Sequence, residues 1–302
     1  MRLIQHKKEA FYFYHFLSIF YDKYVNPFFW TESMREEALK SARLDRPGLL
    51  TIDVGSGTGF NTLGIVENID PRYITCVDQS PHQMAKARQK AELSGCSFIL
   101  SDAENLPVAT DHFDRYISAG SIEYWPDPLK GIAEAYRVIK PGGIALIIGP
   151  LKPQNRIARF FAEVWMLFPE EDEYISWFKQ AGFIDISTRL VAPDWISKEK
   201  YGIAIAGTKP QGGESPAAGQ KCGGKTENDP LTISRKIRLL GRLIPGSLAG
   251  FVFIPLAVLV VMANRLGLRK SARKPLPLTF HQKLISLLIL ALLAVFILWI
   301  FL

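Results

Sequence analysis

Three glycines and two acids at fixed spacing are the first residues in this sequence that could do chemistry. Asp53 is followed by Gly55, Gly57 and Gly59 in the run Leu49-Leu-Thr-Ile-Asp-Val-Gly-Ser-Gly-Thr-Gly-Phe60. Glycines let the backbone approach a ligand closely, and free N–H groups at a following helix start face its polar atoms. Asp78 lies 25 positions after Asp53 and ends the β-rich run Tyr73-Ile-Thr-Cys-Val-Asp78. An acid at that place can bind ribose hydroxyls. A tight turn packed in a core, and an Asp capping a helix before Pro81, would leave the same trace. The loop reads Asp-x-Gly-x-Gly-x-Gly and lacks the GxGxxG spacing, which disfavours a nicotinamide dinucleotide.

The elements that must hold these residues alternate regularly. Leu49 to Val54 reads as a buried strand, and the helix after Gly59 runs to about Glu67. Pro81 to Leu93 is predicted helical, with proline at its start. Ser97 to Leu100 is a third strand, followed by Ser101-Asp-Ala-Glu104. Phe113 to Ser118 is the fourth strand, Leu129 to Ile139 a helix, and Ile144 to Gly149 the fifth strand. Glu170 to Ala181 reads as a helix, and 182–189 and 201–208 as two more strands. Such alternation predicts a Rossmann-like α/β fold with a seven-stranded, mostly parallel sheet and helices on both faces. Upstream, Ser33 to Ala42 reads as a helix capped by Ser33.

The glycine loop, the acid after the third strand, and Val138-Ile-Lys-Pro-Gly-Gly143 before the fifth together resemble the class I methyltransferases over residues 48–209. The resemblance implies S-adenosyl-L-methionine as cofactor. It implies that Asp102 meets the adenine amino group. The expected cofactor set is Asp53, Gly55, Gly57, Gly59, Asp78, Gln79, Asp102, Ala103 and Ser118. Methyl transfer from a sulfonium requires mainly an aligned and activated acceptor. In this fold the residues after the fourth strand line that space, here Ser118-Ala-Gly-Ser-Ile-Glu-Tyr-Trp-Pro126. Glu123 is the first candidate for taking a phenolic proton, with Tyr124 beside it and His15 and His82 as alternatives. Glu123 could equally be a solvated loop acid, and His82 fits a helix cap near the cofactor. No metal-ligand spacing is present, so no metal is expected.

Charge divides the chain. Residues 1–209 carry 24 Lys/Arg and 26 Asp/Glu, whereas residues 210–302 carry 12 and 3. The basic excess beside apolar segments points to anionic lipid headgroups and argues against nucleic-acid binding by the folded domain. Residues 210–230 are rich in Gly, Pro and polar residues and read as a flexible linker. Ile233 to Arg242 is basic and amphipathic, as in a segment lying on a membrane. Leu243 to Asn264 and Leu284 to Leu302 are 22 and 19 residues without Asp, Glu, Lys or Arg. Each is long enough to span a hydrocarbon core of about 30 Å. Basic clusters precede the first and lie between the two, so two crossings would put one cluster on the wrong side; one crossing and one dip would not. Cys76, Cys96 and Cys222 show no disulfide spacing and fit a reducing compartment. No secretory or transit pattern is expected at the N-terminus.

Residues 1–47 are expected to form a helical lid. Within 7–30 the aromatic density is high, and Phe13, Phe16, Leu17 and Phe20 follow helical spacing. These aromatics either pack on a core, cover the site, or do both. Tyr14, Tyr21 and Trp30, with Ser121, Trp125 and Trp165, are the expected substrate pocket. Met1-Arg-Leu-Ile-Gln-His-Lys-Lys-Glu-Ala-Phe11, Asp78-Gln-Ser-Pro-His-Gln83, the 118–128 stretch and Val164-Trp-Met-Leu-Phe-Pro169 are similar to the 2-methyl-6-phytylbenzoquinol and 2-methyl-6-solanylbenzoquinol methyltransferases of tocopherol and plastoquinone synthesis. That resemblance implies C-methylation of a membrane-embedded prenylated hydroquinone on the cytoplasmic or plastid stromal side. The second apolar tail segment departs from the single anchor expected of that family. Demethylmenaquinol, a sterol or a phospholipid amine are alternative acceptors, and a non-catalytic membrane assembly factor is a different class of role.

Overall fold

The computed structural model describes residues 30–154, 159, 167–193 and 201–219. The expected N-terminal helix, the basic segment at 233–242 and both apolar tail segments lie outside the described residues. Among the described residues no helix is long and apolar enough to cross a membrane.

The helix α1 (Glu32–Leu39) opens the domain and continues as a 3-10 turn over Lys40–Ala42. Its cap is Thr31, not the expected Ser33. Thr31 is extended, and its side chain accepts from the Met34 N–H at 3.3 Å. Ser33 instead bonds the Thr31 hydroxyl at 2.9 Å. There follow β1 (Thr51–Val54), α2 (Phe60–Ile65), β2 (Ile74–Asp78), α3 (Pro81–Arg88) and β3 (Ser97–Leu100). Then come β4 (Phe113–Ala119), α4 (Pro128–Val138), β5 (Ile139–Pro150), α5 (Glu171–Gln180), β6 (Ile184–Val191) and β7 (Gly202–Thr208). β5 begins five residues earlier than expected. Phe113 pairs with Ile139 and Arg115 with Ile144, so Lys140-Pro-Gly-Gly143 is absorbed as an irregularity inside the strand.

The seven strands form one sheet in the order β3-β2-β1-β4-β5-β7-β6. The first five are parallel, and β7 runs antiparallel to both β5 and β6. Both faces of the central strands are covered, so their residues alternate between two apolar layers. Val77, Tyr116, Ile147 and Ile205 pack on one side with Tyr136 of α4 and Phe178 of α5. Cys76, Ile117, Leu146 and Ala204 pack on the other with Met34 and Leu39 of α1 and Ile65 of α2.

Residues 210–219, expected as the start of a linker, pack on the domain instead. Lys209 is fully buried; its Nζ donates to Asp111 Oδ1 at 2.5 Å and to the Gly213 carbonyl at 2.8 Å. The Gly213 N–H donates to Asp111 Oδ2 at 2.8 Å, and Ser215 and Ala217 are buried. A buried ammonium must be paired, and that need fixes the backbone around it. β7 is antiparallel, so this docked stretch sits at the end of the sheet where β4 begins.

Candidate active site

Open parallel sheets bind ligands beyond the C-terminal ends of their strands, and here those ends surround a cavity. β1 is buried throughout and delivers the chain to Gly55, whose φ is +72°. A Cβ at Gly55 would lie 2.2 Å from Ser121 Oγ, so the loops after β1 and β4 close on each other only around glycine. The Gly55 and Ser56 N–H groups donate to the Val77 carbonyl at 2.8 and 3.0 Å, which ties the loop to β2.

Asp78 stands at the tip of β2 and lines the cavity with Gln79. Its Oδ2 accepts from the Gly57 N–H and its Oδ1 from the Ser80 N–H, both at 2.8 Å. Ser80, and not Asp78, caps α3. Asp102 and Ala103, after β3, line the same cavity, and Asp102 Oδ1 accepts from the Glu104 N–H at 3.0 Å.

Four expected residues do not line the cavity. Asp53 is fully buried within β1, accepting from Asn61 Nδ2 at 3.0 Å and Thr62 Oγ1 at 2.6 Å. It pins the first turn of α2, and burial pushes its carboxyl up to about 6. Gly59 packs toward Leu93, where a Cβ would lie 2.5 Å from that side chain. Ser118 has no exposed surface, and its hydroxyl has no partner among the described residues. His82 is exposed on α3.

The loop after β4 forms the wall opposite the acids. Gly120 leads into a 3-10 turn over Ile122–Tyr124. Ser121 Oγ accepts from Trp125 Nε1 at 2.9 Å, and both side chains line the cavity with Tyr124. Trp30 packs over Gly120, with ring atoms 3.5–3.7 Å from where a Cβ would stand. Glu123 lines the cavity yet is 5% exposed, and its Oε2 has no hydrogen-bond partner among the described residues. Desolvation pushes its carboxyl up to about 8. It is therefore a buried acid at the cavity wall, not a solvated loop residue. His15, Tyr14, Tyr21 and Trp165 lie outside the described residues. Among the described residues no group of three or more His, Cys, Asp or Glu is placed to hold a metal ion.

Arg35, Phe60, Asn61 and Gln83 also line the cavity and were not singled out from sequence. The available signal was Arg35 itself, a charge at a position whose helical neighbours Met34, Ala38 and Leu39 are core residues.

A methyltransferase-domain family model matches residues 52–147. The chain is 50% identical over 262 residues to the chloroplastic 2-methyl-6-phytyl-1,4-hydroquinone methyltransferase of Arabidopsis thaliana, covering 84% of this chain and 77% of that protein. It is 47% identical over 270 residues to the rice (Oryza sativa subsp. japonica) chloroplastic 2-methyl-6-phytyl-1,4-hydroquinone methyltransferase 1, covering 88% and 81%. Among solved structures, phosphoethanolamine N-methyltransferase 2 of Haemonchus contortus, in complex with S-adenosyl-L-methionine, superposes with a TM-score of 0.52 at 17% identity, covering 60% of this chain and 53% of that one. At that identity the likeness is one of fold.

Proposed function

The chain belongs to the 2-methyl-6-phytyl-1,4-hydroquinone methyltransferase family, and we propose that Glu123 activates the hydroquinone ring that it methylates. It is an S-adenosylmethionine-dependent methyltransferase of the tocopherol and plastoquinone type. The cavity suits that cofactor chemically. Its lining offers two carboxylates at the strand tips, on Asp78 and Asp102, for hydroxyl and amino donors, and glycine backbone for close approach. When bound, S-adenosylmethionine supplies an electrophilic methyl group on a positive sulfur.

The carboxyl of Glu123 carries the proposal for the acceptor side. A phenol titrates near 10 and an ordinary glutamate near 4.3, so a normal glutamate is a weak base toward it. Raised to about 8, the Glu123 carboxylate accepts that proton with a gap of only about two pH units. Transfer of the phenolic proton to the Glu123 carboxylate drives electron density into the ring, so the ring carbon becomes the nucleophile; once methylated, that carbon sheds its own proton and the ring is aromatic again. Trp30, Tyr124 and Trp125 are flat apolar surfaces against which an aromatic ring can be held. The residues outside the described set, Tyr14, His15, Tyr21 and Trp165, are proposed to complete the pocket. The basic and apolar segments after residue 230 are proposed to hold the enzyme on a membrane containing anionic lipid, because a prenylated quinol stays in the bilayer.

The test is a label-transfer assay with full-length protein in liposomes. Labelled S-adenosylmethionine is supplied with 2-methyl-6-prenylbenzoquinols of several tail lengths, and with demethylmenaquinol in parallel. Label on the benzoquinol ring is expected. Label on the naphthoquinol alone would reject the ring assignment while leaving the methyl donor intact.

A further inference from the structure

Asp78, Asp102 and Glu123 place three carboxyl groups around the cavity, and among the described residues Arg35 is the one cationic side chain that joins them. A ligand carboxylate entering such a cavity is repelled by the ionised acids and drawn to Arg35. α1 turns Arg35 inward with Met34, Ala38 and Leu39, leaving it 7% exposed. Its Nη1 donates to the Phe60 carbonyl at 3.0 Å, and its Nη2 to Glu67 Oε1 at 3.3 Å. Its Cζ lies 5.0 Å from the centre of the Phe60 ring. Those bonds use two of the five N–H donors of a guanidinium, and Nε is buried without a partner among the described residues. Glu67 is more than half exposed, so water screens its charge.

The neighbouring helix is shaped to admit this side chain. A Cβ at Gly64 of α2 would lie 2.6 Å from Arg35 Nε and 2.9 Å from its Cδ. The guanidinium is thereby held beside the first turn of α2, in the wall shared with Phe60 and Asn61. Given S-adenosylmethionine as the methyl donor, the ligand has one anionic group, the carboxylate of its amino-acid end. Asp78 and Asp102 match its hydroxyl and amino donors and cannot bind that carboxylate.

We infer that Arg35 binds the carboxylate of the methyl donor's amino-acid end. Hydrogen bonds to charged groups of this kind correspond to roughly a 10- to 100-fold change in affinity. The test measures binding of S-adenosylhomocysteine and of its decarboxylated counterpart to the full-length protein, as wild type, Arg35→Met, Arg35→Lys and Glu67→Gln. Wild type should favour the carboxylate-bearing ligand by about 10- to 100-fold. Arg35→Met should erase that preference by weakening only that ligand, and Arg35→Lys should restore part of it. Glu67→Gln should leave both affinities unchanged. Equal weakening of both ligands by Arg35→Met would overturn the inference, because support of Phe60 alone would act on both. If Arg35→Met does not fold, a wild-type ratio near one overturns the inference and a ratio of about ten or more in wild type, reduced in Arg35→Lys, supports it. A wild type that binds neither ligand overturns the methyl-donor assignment, and the inference falls with it.

Discussion

In its proposed role as base, Glu123 couples turnover and stability to one proton. Its carboxyl is raised from an ordinary 4.5 to about 8 by desolvation. As base it must be ionised, so kcat/KM should rise with pH up to about 8 and then level. Glu123→Gln should remove that limb and lower kcat by roughly 10²- to 10⁴-fold, while S-adenosylhomocysteine still binds. The stability effect has the opposite slope. Between 4.5 and 8 the unfolded chain has released this proton and the folded chain has kept it. Stability from this group is therefore fullest below 4.5 and declines as pH rises to 8, by an amount on the order of a few kcal/mol. Asp53 declines in the same direction but is finished near 6. The Cys96 thiol, held below its ordinary value by Cys76, is common to wild type and Glu123→Gln, so comparing the two by urea unfolding at pH 6.5 and 8.5 isolates Glu123. Wild type should weaken over that interval more than Glu123→Gln, and parallel curves would reject a buried, high-titrating carboxyl.

At the scale of elements, the glycine loop and the loop after β4 form one unit. Gly55→Ala would place a methyl group 2.2 Å from Ser121 Oγ at a φ of +72°. Strain of that kind costs about 1–3 kcal/mol. A fall in Tm of about 3–10 °C is expected in a melt, with weaker S-adenosylhomocysteine binding. An unchanged melt would mean that the two loops can separate freely. Elements were where the sequence was most readable. Short apolar or β-branched runs located β1 to β4, β6 and β7; the signal is plainest in β1 and β7, which are buried on both faces and so are near-continuously apolar. The start of β5 was missed, since Pro141 and the Gly142-Gly143 pair signal a turn unless a neighbouring strand absorbs them. Asp78 and Asp102 were placed correctly at strand tips. Asp53 and Ser118, expected at the cofactor, lie in their expected strands but do not line the cavity, because sequence spacing does not say which way a strand side chain faces. Arg35 shows in the sequence only as a charge among the core positions of α1; the room for it depends on Gly64, 29 residues away.

For the molecule as a whole, charge divides residues 1–209 from the basic residues 210–302, and on the proposed reading that division separates catalysis from attachment. With the tail as the proposed membrane segment, full-length protein should sediment with vesicles containing anionic lipid and be partly released by salt. A chain ending at residue 219 keeps the docked stretch around Lys209 and should stay in the supernatant with its melting temperature unchanged. Vesicle binding by the shortened chain would move the attachment surface onto the folded domain.

The pairing of Lys209 with Asp111 pins the chain at the pole of the sheet opposite the cavity, about one length of β4 away, or roughly 23 Å. From there it returns along α4 until Ala217 packs on Leu129 and Ala133, the former three residues after Pro126 of the cavity wall. Residues 220–230 reach at most about 36–40 Å when fully extended. With the membrane segment placed after residue 230 as proposed, that reach limits how far the cavity can turn from a bilayer, and the stretch serves as a tether of bounded length. Deleting half of it should depress turnover of a long-tailed quinol in liposomes. Turnover of a short-tailed quinol in free solution should be untouched, because that acceptor needs no particular orientation of the enzyme.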